Sequence, residues 1–178
     1  MTLLWFDVET TGLDPQRDRI LEVAAAMSDG REPLEARVIL DVAIGIESTD
    51  GLTPFIRAMH GANGLLERCL ATSWRTVWHA ENELLAHVPE AVEYRDRPVL
   101  AGFSVHFDHE FVRVHMPRLA ARLSHQHYDV STVKRLCESL GMPPRPKAAQ
   151  HRALDDIRDA FAADRACRAW LRGQRGTT

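Results

Sequence analysis

Apolar runs and turn-forming clusters alternate along the first 45 residues. "LLWFDVE", "RILEVAAAM" and "EARVILDVA" are short, rich in branched and aromatic residues, and separated by "GLDPQRD" and "SDGREP", so they read as three strands of an antiparallel meander. After "ESTDGLTP" the period becomes helical. "GANGLLERCLA" begins the change, and in "SWRTVWHAENELLAHV" Trp74, Val77, Trp78, Glu81, Leu84, Leu85 and Val88 recur at three- and four-residue steps, as on one face of a long helix. Trp74 and Trp78 are expected there as core or dimer contacts. "RPVLAGFS" predicts a buried strand, "FDHEFVRVHM" a helix, "HYDVS" a short strand, and "STVKRLCESLG" a helix capped by Ser131 and stopped by Gly141. "MPPRPKAAQH" holds too much proline for a helix and reads as a loop that delivers His151 to a last long helix, "RALDDIRDAFAADRACRAWL". Three strands in a row, then strands alternating with helices, describe an α/β protein with a mixed sheet of about five strands, three antiparallel and then parallel ones, flanked by helices.

Composition narrows the class. At 178 residues, with 45% apolar and 26% charged residues, the chain suits one folded domain over residues 1–172, and the tail 173–178 has nothing to bury and is expected to be mobile. A net charge of −3 excludes a broad basic field for gripping long nucleic acid. Cys69, Cys137 and Cys167 are widely spaced and read as reduced core residues. There is no leader pattern and no apolar run near the ~18–20 residues that cross a membrane, so a soluble cytoplasmic protein is expected.

Acidic residues then change the picture. Asp7 and Glu9 interrupt an apolar strand two positions apart, so their carboxylates share one face while Leu4, Phe6 and Val8 pack on the other. Two such acids suit a pair of hard divalent cations, Mg²⁺ or Mn²⁺, although the pair alone equally describes a solvated strand end. Asp108 sits in the first turn of a helix after a buried strand, where an acid also satisfies the helix dipole. In the last helix, steps of three and four from Asp156 lead to Ala160, Ala163, Cys167 and Trp170, so Asp156 opens the buried face and Asp155 points to solvent beside an arginine. His151 precedes that helix, and imidazoles titrate near working pH, so it can take a proton from an attacking water. Four carboxylates and a histidine suffice for a two-metal hydrolase. His79, His87, His109, His115 and His125 have no partner at metal-ligand spacing and are expected at or near the surface. His106 is left unassigned.

"FDVETTGLDPQRDRILEVAA", "GFSVHFDHEF" and "HRALDDIRDA" resemble, in order and wording, the three motifs of the DEDDh superfamily of 3′–5′ exonucleases. The similarity runs along nearly the whole chain and is greatest to oligoribonucleases, through "HGANGLLERC", "MPRL" and "DVSTVKRL". It implies a ribonuclease H-like fold and two Mg²⁺ or Mn²⁺ ions on Asp7, Glu9, Asp108 and Asp156, with His151 as general base. It also implies hydrolysis of short single-stranded RNA to nucleoside 5′-monophosphates, and a homodimer. By the same resemblance Thr10 and Gly12 lie against the substrate, Leu13 caps a base, and Phe55 stands where a tryptophan wedge is usual. His60 and Ser104 match positions near the phosphate, and His127 matches a tyrosine that reaches the partner's site. Phe107 replaces a common glutamine. These two departures leave open a trimming or proofreading exonuclease on DNA. A catalytically dead nucleotide-binding module is the reading from another class, and the complete acid set argues against it.

Overall fold

The computed structural model describes residues 1–29, 37–91, 93–144 and 151–174. Five strands form one sheet in the order β3-β2-β1-β4-β5. They are β1 Leu3–Thr10, β2 Ile20–Ser28, β3 Val38–Ala43, β4 Val99–Gly102 and β5 His127–Asp129. β1 pairs antiparallel with β2, with Trp5 opposite Ala26 and Glu9 opposite Glu22, and β2 pairs antiparallel with β3. β4 runs parallel to β1, and β5 parallel to β4. The mixed sheet expected from the sequence is therefore present.

Among the described residues seven α-helices flank it: α1 Pro54–Ala62, α2 Leu65–Ala71, α3 Val77–His87, α4 His106–His115, α5 Pro117–Arg122, α6 Val130–Ser139 and α7 Ala153–Gln174. The central strand is apolar on both faces because each meets helices. Leu4, Phe6 and Val8 pack with Leu84, Phe111, Val112 and Leu119. Leu3 and Trp5 turn the other way, onto Ile157, Ala160 and Phe161 of α7. Burying side chains of this size contributes about 1.5–3 kcal/mol each. A smaller cluster seats α1 and α2 on Leu21 and Ala43, through Ile56, Leu65 and Cys69. All three cysteines are free and buried, as expected.

Several boundaries differ from the sequence reading. The helical stretch after residue 53 is three helices: α1 was not anticipated, Gly64 at φ +76° separates it from α2, and α3 starts only at Val77. Thr76 begins α3, its N–H donating to His79 Nδ1 at 3.1 Å. Ala80, Glu81, Leu84 and Val88 face inward, whereas Trp74 and Trp78 are 64% and 61% exposed, so neither tryptophan belongs to the core. The stripe holds a charge that burial requires to be satisfied: Glu81 accepts from the N–H groups of Arg118 and Leu119 and from Arg118 Nε. α5 is a further helix not anticipated. At α6 the cap is Asp129, whose Oδ1 accepts from Ser131 and Thr132 N–H, and not Ser131. Gly141 at φ +105° follows its end as expected. Most of the proline-rich loop, and residues 175–178 of the tail, lie outside the described residues.

Candidate active site

Where β1 ends, its two acids reach the first turn of α7. One carboxylate oxygen from each of Asp7, Glu9 and Asp156 lies within 4.8 Å of the others, and among the described residues no other His, Cys, Asp or Glu triple does this. Asp156 follows the phase read from the sequence: it is 9% exposed, and Ala160, Ala163 and Cys167 continue the buried stripe. Asp155 points outward and pairs with Arg158 at 3.2 Å. Asp108, from α4, is not one of the three but lies near enough for the charges of Glu9 and Asp156 to act on it. Its Oδ1 accepts the Val8 N–H at 3.0 Å, which ties the helix to the strand that carries the other two acids.

Asp108 is 3% exposed. Burial holds its carboxyl well above the ordinary range; the Val8 N–H opposes this, while the charges of Glu9 and Asp156 reinforce it. A divalent cation would reverse that balance by favouring every ionised form at once. The donor set is all carboxylate, with hard oxygens in the number and closeness that Mg²⁺ or Mn²⁺ takes, so the residues fit such ions.

One histidine borders the acids, and a second lies near the first. His60, in α1, is fully buried, and its Nε2 lies 3.6 Å from Glu9 Oε2. Neither ring nitrogen has a hydrogen-bond partner. Burial lowers its pKa first, and the neighbouring His151 and Arg152 lower it further against the pull of the Thr10 backbone, so the balance favours the neutral ring. His151 is exposed at the entry to α7, with backbone φ +48°. Its carbonyl accepts from Asn63 Nδ2 at 2.7 Å.

A cleft of about 350 Å³ adjoins the acids, lined among others by Glu9, Thr10, Gly12, Leu13, Phe55 and Phe107. The turn after β1 is knitted around Asp18, which accepts from Thr11 Oγ1 and the Asp14 N–H, while Thr10 Oγ1 donates to Gly12 O. A Cβ at Gly12 would sit 2.4 Å from the Asp18 carboxylate, so any larger residue there would have to displace that side chain. Leu13 is thereby held out at 83% exposure, and Phe55 stands on the opposite wall at 70%. Phe107 packs on Phe111 at 4.9 Å and floors the cleft. A larger cleft of about 650 Å³, around Met1, Tyr94, Arg95 and Arg97, lies at the other end of β1 and contains none of the acids.

Ser104, at φ +50°, donates its N–H to Ser131 Oγ at 3.0 Å. His127 is exposed on the edge strand, while Tyr128 points inward and donates to Asp164, so the outward position is His127. The ring of His109 lies against that of His127, with centroids 4.3 Å apart. His115, half-buried, contacts Pro15 O, and His125, exposed, donates its backbone N–H to the Tyr94 hydroxyl.

Sequence reasoning missed Glu22, Arg152 and Asn63. Glu22 is 1% exposed in β2, opposite Glu9, and accepts from Arg68, from Arg152 and from the Ala153 N–H. Burial raises its carboxyl above the ordinary value, and the Ala153 N–H and Arg152 pull it back. A lone glutamate in "ILEVAAAM" was the same signal that exposed Asp7 and Glu9.

The exonuclease family RNase_T matches residues 4–163. Oligoribonuclease of Halorhodospira halophila is 36% identical over 163 residues, covering 89% of this chain and 88% of its own. The mitochondrial oligoribonuclease of Homo sapiens is 36% identical over 165 residues, 89% and 68% of the two chains. A probable oligoribonuclease of Schizosaccharomyces pombe is 33% identical over 162 residues, with 89% of this chain spanning 64% of that one. Among solved structures, exonuclease I of E. coli, zinc-bound with single-stranded DNA, aligns at TM-score 0.69 and 19% identity over 94% of this chain and 40% of its own. Exonuclease I of Methylocaldum szegediense aligns at TM-score 0.65 and 21% identity, again over 94% and 40%. At that identity the likeness carries the fold, the ribonuclease H-like exonuclease arrangement. With the exonuclease match running from β1 into α7, and oligoribonucleases a third identical along the same span, the chain belongs to the RNase T-type exonuclease family, among the oligoribonucleases.

Proposed function

We propose that the protein removes nucleoside 5′-monophosphates from the 3′ end of short single-stranded oligoribonucleotides, down to dinucleotides, in a reaction that depends on Mg²⁺ or Mn²⁺. The observation that carries this reading is the convergence of Asp7, Glu9 and Asp156, with Asp108 behind them, at the rim of a cleft of about 350 Å³. That volume is at the small end of ligand sites, the scale of one or two nucleotide units. The names of its relatives point the same way.

Asp7, Glu9, Asp108 and Asp156 would hold two divalent ions, which when bound supply Lewis-acid stabilisation to the attacking and leaving oxygens. The protein's own groups do the rest. His151 takes the proton of the attacking water, and His60, neutral and buried beside Glu9, donates an N–H to a phosphate oxygen. Leu13 and Phe55 hold a base between them, and Thr10 and Gly12 border the sugar-phosphate. Ser104 lies near a phosphate. His127, exposed on edge strand β5, would meet a second copy in a homodimer. The exonuclease domain occupies residues 1–172 and acts in the cytoplasm, where its three thiols stay reduced. Among the described residues no helix is long and apolar enough to cross a membrane.

Phe107 on the cleft floor favours a second reading, the same chemistry on single-stranded DNA, since no polar group from that residue faces the sugar. Turnover of matched RNA and DNA dimers, trimers and longer strands, with each metal, separates the two. Light scattering tests the dimer. His151→Ala should lower kcat by about 10²–10⁴ with the fold intact; undiminished turnover would remove His151 from its role.

A further inference from the structure

We infer that Asn63, with the ion pair between Glu22 and Arg152, is a positioning clamp that sets His151 over the acids. The inference rests on the reading of His151 as the proton acceptor. His151 has φ +48°, a left-handed conformation that is uncommon for non-glycine residues although histidine adopts it more readily than most. Contacts on both sides of the residue hold it there. Asn63 Nδ2 donates to the His151 carbonyl at 2.7 Å, which fixes one side of the backbone. On the other side Arg152 forks onto Glu22, with Nε 3.1 Å from Oε2 and Nη2 2.8 Å from Oε1, and the next N–H, of Ala153, donates to Glu22 Oε2 at 2.9 Å. Arg152 also reaches back to the Asn63 carbonyl at 3.4 Å.

The anchors have the rigidity such a task needs. Glu22 is buried in β2 directly across from Glu9, so the arginine is referenced to the strand pair that carries two of the acids. Asn63 ends α1, one turn after His60, and its Oδ1 accepts the Leu65 N–H at 3.1 Å, which locks the side-chain amide in one orientation. His151 is exposed, so without these contacts its backbone would be free to relax to the ordinary φ range and carry the ring away. A shift of about 1 Å at a catalytic group can cost about 10²-fold in rate. The Arg152 carbonyl also accepts the Asp156 N–H at 3.0 Å, Asn63 donates its N–H to Met59 O at the cleft wall, and Glu22 lies across from Glu9, so action through His151 is told from action on the acids by combining each variant with His151→Ala.

Asn63→Asp separates positioning from folding, because an aspartate still accepts from the Leu65 N–H but offers no donor to His151. The experiment measures kcat, KM and thermal midpoint on a short RNA for Asn63→Asp, Asn63→Ala and Arg152→Lys, each alone and combined with His151→Ala. The expected result is a fall in kcat of about 10- to 100-fold with KM nearly unchanged, and no further fall when His151 is already absent. Arg152→Lys should behave alike, since an ammonium cannot form the two-pronged contact. The same fold reduction with and without His151 would overturn the clamp while leaving His151 in its role. An unaltered kcat in His151→Ala alone would remove the proton acceptor itself, and the clamp with it.

Discussion

Replacing Asp7 by Asn should make the protein more stable and inactive at once. Asp7, Glu9 and Asp156 bring carboxylate oxygens within 4.8 Å of one another. At that separation and an effective dielectric of 20, one pair of like charges costs about 3–4 kcal/mol. Asp7 faces two such partners, but it is only half-buried, so water and salt reduce the net relief to ~1–2 kcal/mol. For a chain of this size each kcal/mol moves the thermal midpoint by roughly 2–4 °C, which places the metal-free Asn variant ~2–8 °C above the parent. Metal acts in the opposite sense. At a free concentration of about 100 Kd, a bound ion stabilises by ~2.7 kcal/mol, so the parent should gain ~5–10 °C in Mn²⁺ and the variant little. Thermal unfolding of both proteins in chelator and in saturating Mg²⁺ or Mn²⁺ is the assay. A variant no more stable than the parent in chelator, with the same gain in metal, would refute the reasoning.

Other consequences concern the cleft and the fold. Phe55→Ala removes a base stack worth about 1–3 kcal/mol and should raise KM by ~5- to 150-fold with kcat little altered, while Phe55→Trp lowers KM; equal KM values would take Phe55 out of the substrate path. Gly12→Ala drives a methyl into Asp18 and should cost ~1–3 kcal/mol of stability while displacing Leu13, seen as a lower thermal midpoint and a raised KM; an unaffected KM would contradict the rigid turn. Burial and then the Asp164 carboxylate push the Tyr128 hydroxyl up to about 12. Its contribution is therefore complete below the unfolded value near 10 and is lost as pH rises to about 12, so Tyr128→Phe should lose ~1 kcal/mol at neutral pH and show a shallower decline of stability between those pH values. Parallel declines in the two proteins would count against the buried hydroxyl contact.

What the sequence made legible was set by local periodicity. Asp7 and Glu9 stood out because strand alternation assigns a face to every residue, and Asp156 could be told from Asp155 because helical phase does the same. The split into α1, α2 and α3 was not legible, because short helices take their stability from packing: α1 and α2 exist by seating Ile56, Leu65 and Cys69 on Leu21 and Ala43. Asp129 displaced Ser131 as a cap since both residue types serve, and Ser131 is engaged by the N–H of Ser104, 27 positions away. Trp74 and Trp78 fit the helical period yet lie outside, because the buried stripe of α3 runs through Ala80, Glu81 and Leu84 instead. Glu22 was visible as an intrusion but not as a contact. Its partner Arg152 is 130 residues on, and no local rule connects the two.

The reaction itself is the most direct measurement. Purified protein should be given 5′-labelled RNA dinucleotides and longer oligomers with Mg²⁺, with Mn²⁺ and with chelator. Stepwise loss of nucleoside 5′-monophosphates from the 3′ end, fastest on the shortest RNA and abolished by chelator or by Asp156→Asn, is the predicted result. Turnover that survives chelation, or no release of mononucleotide from any RNA or DNA strand in either metal, would contradict the assignment.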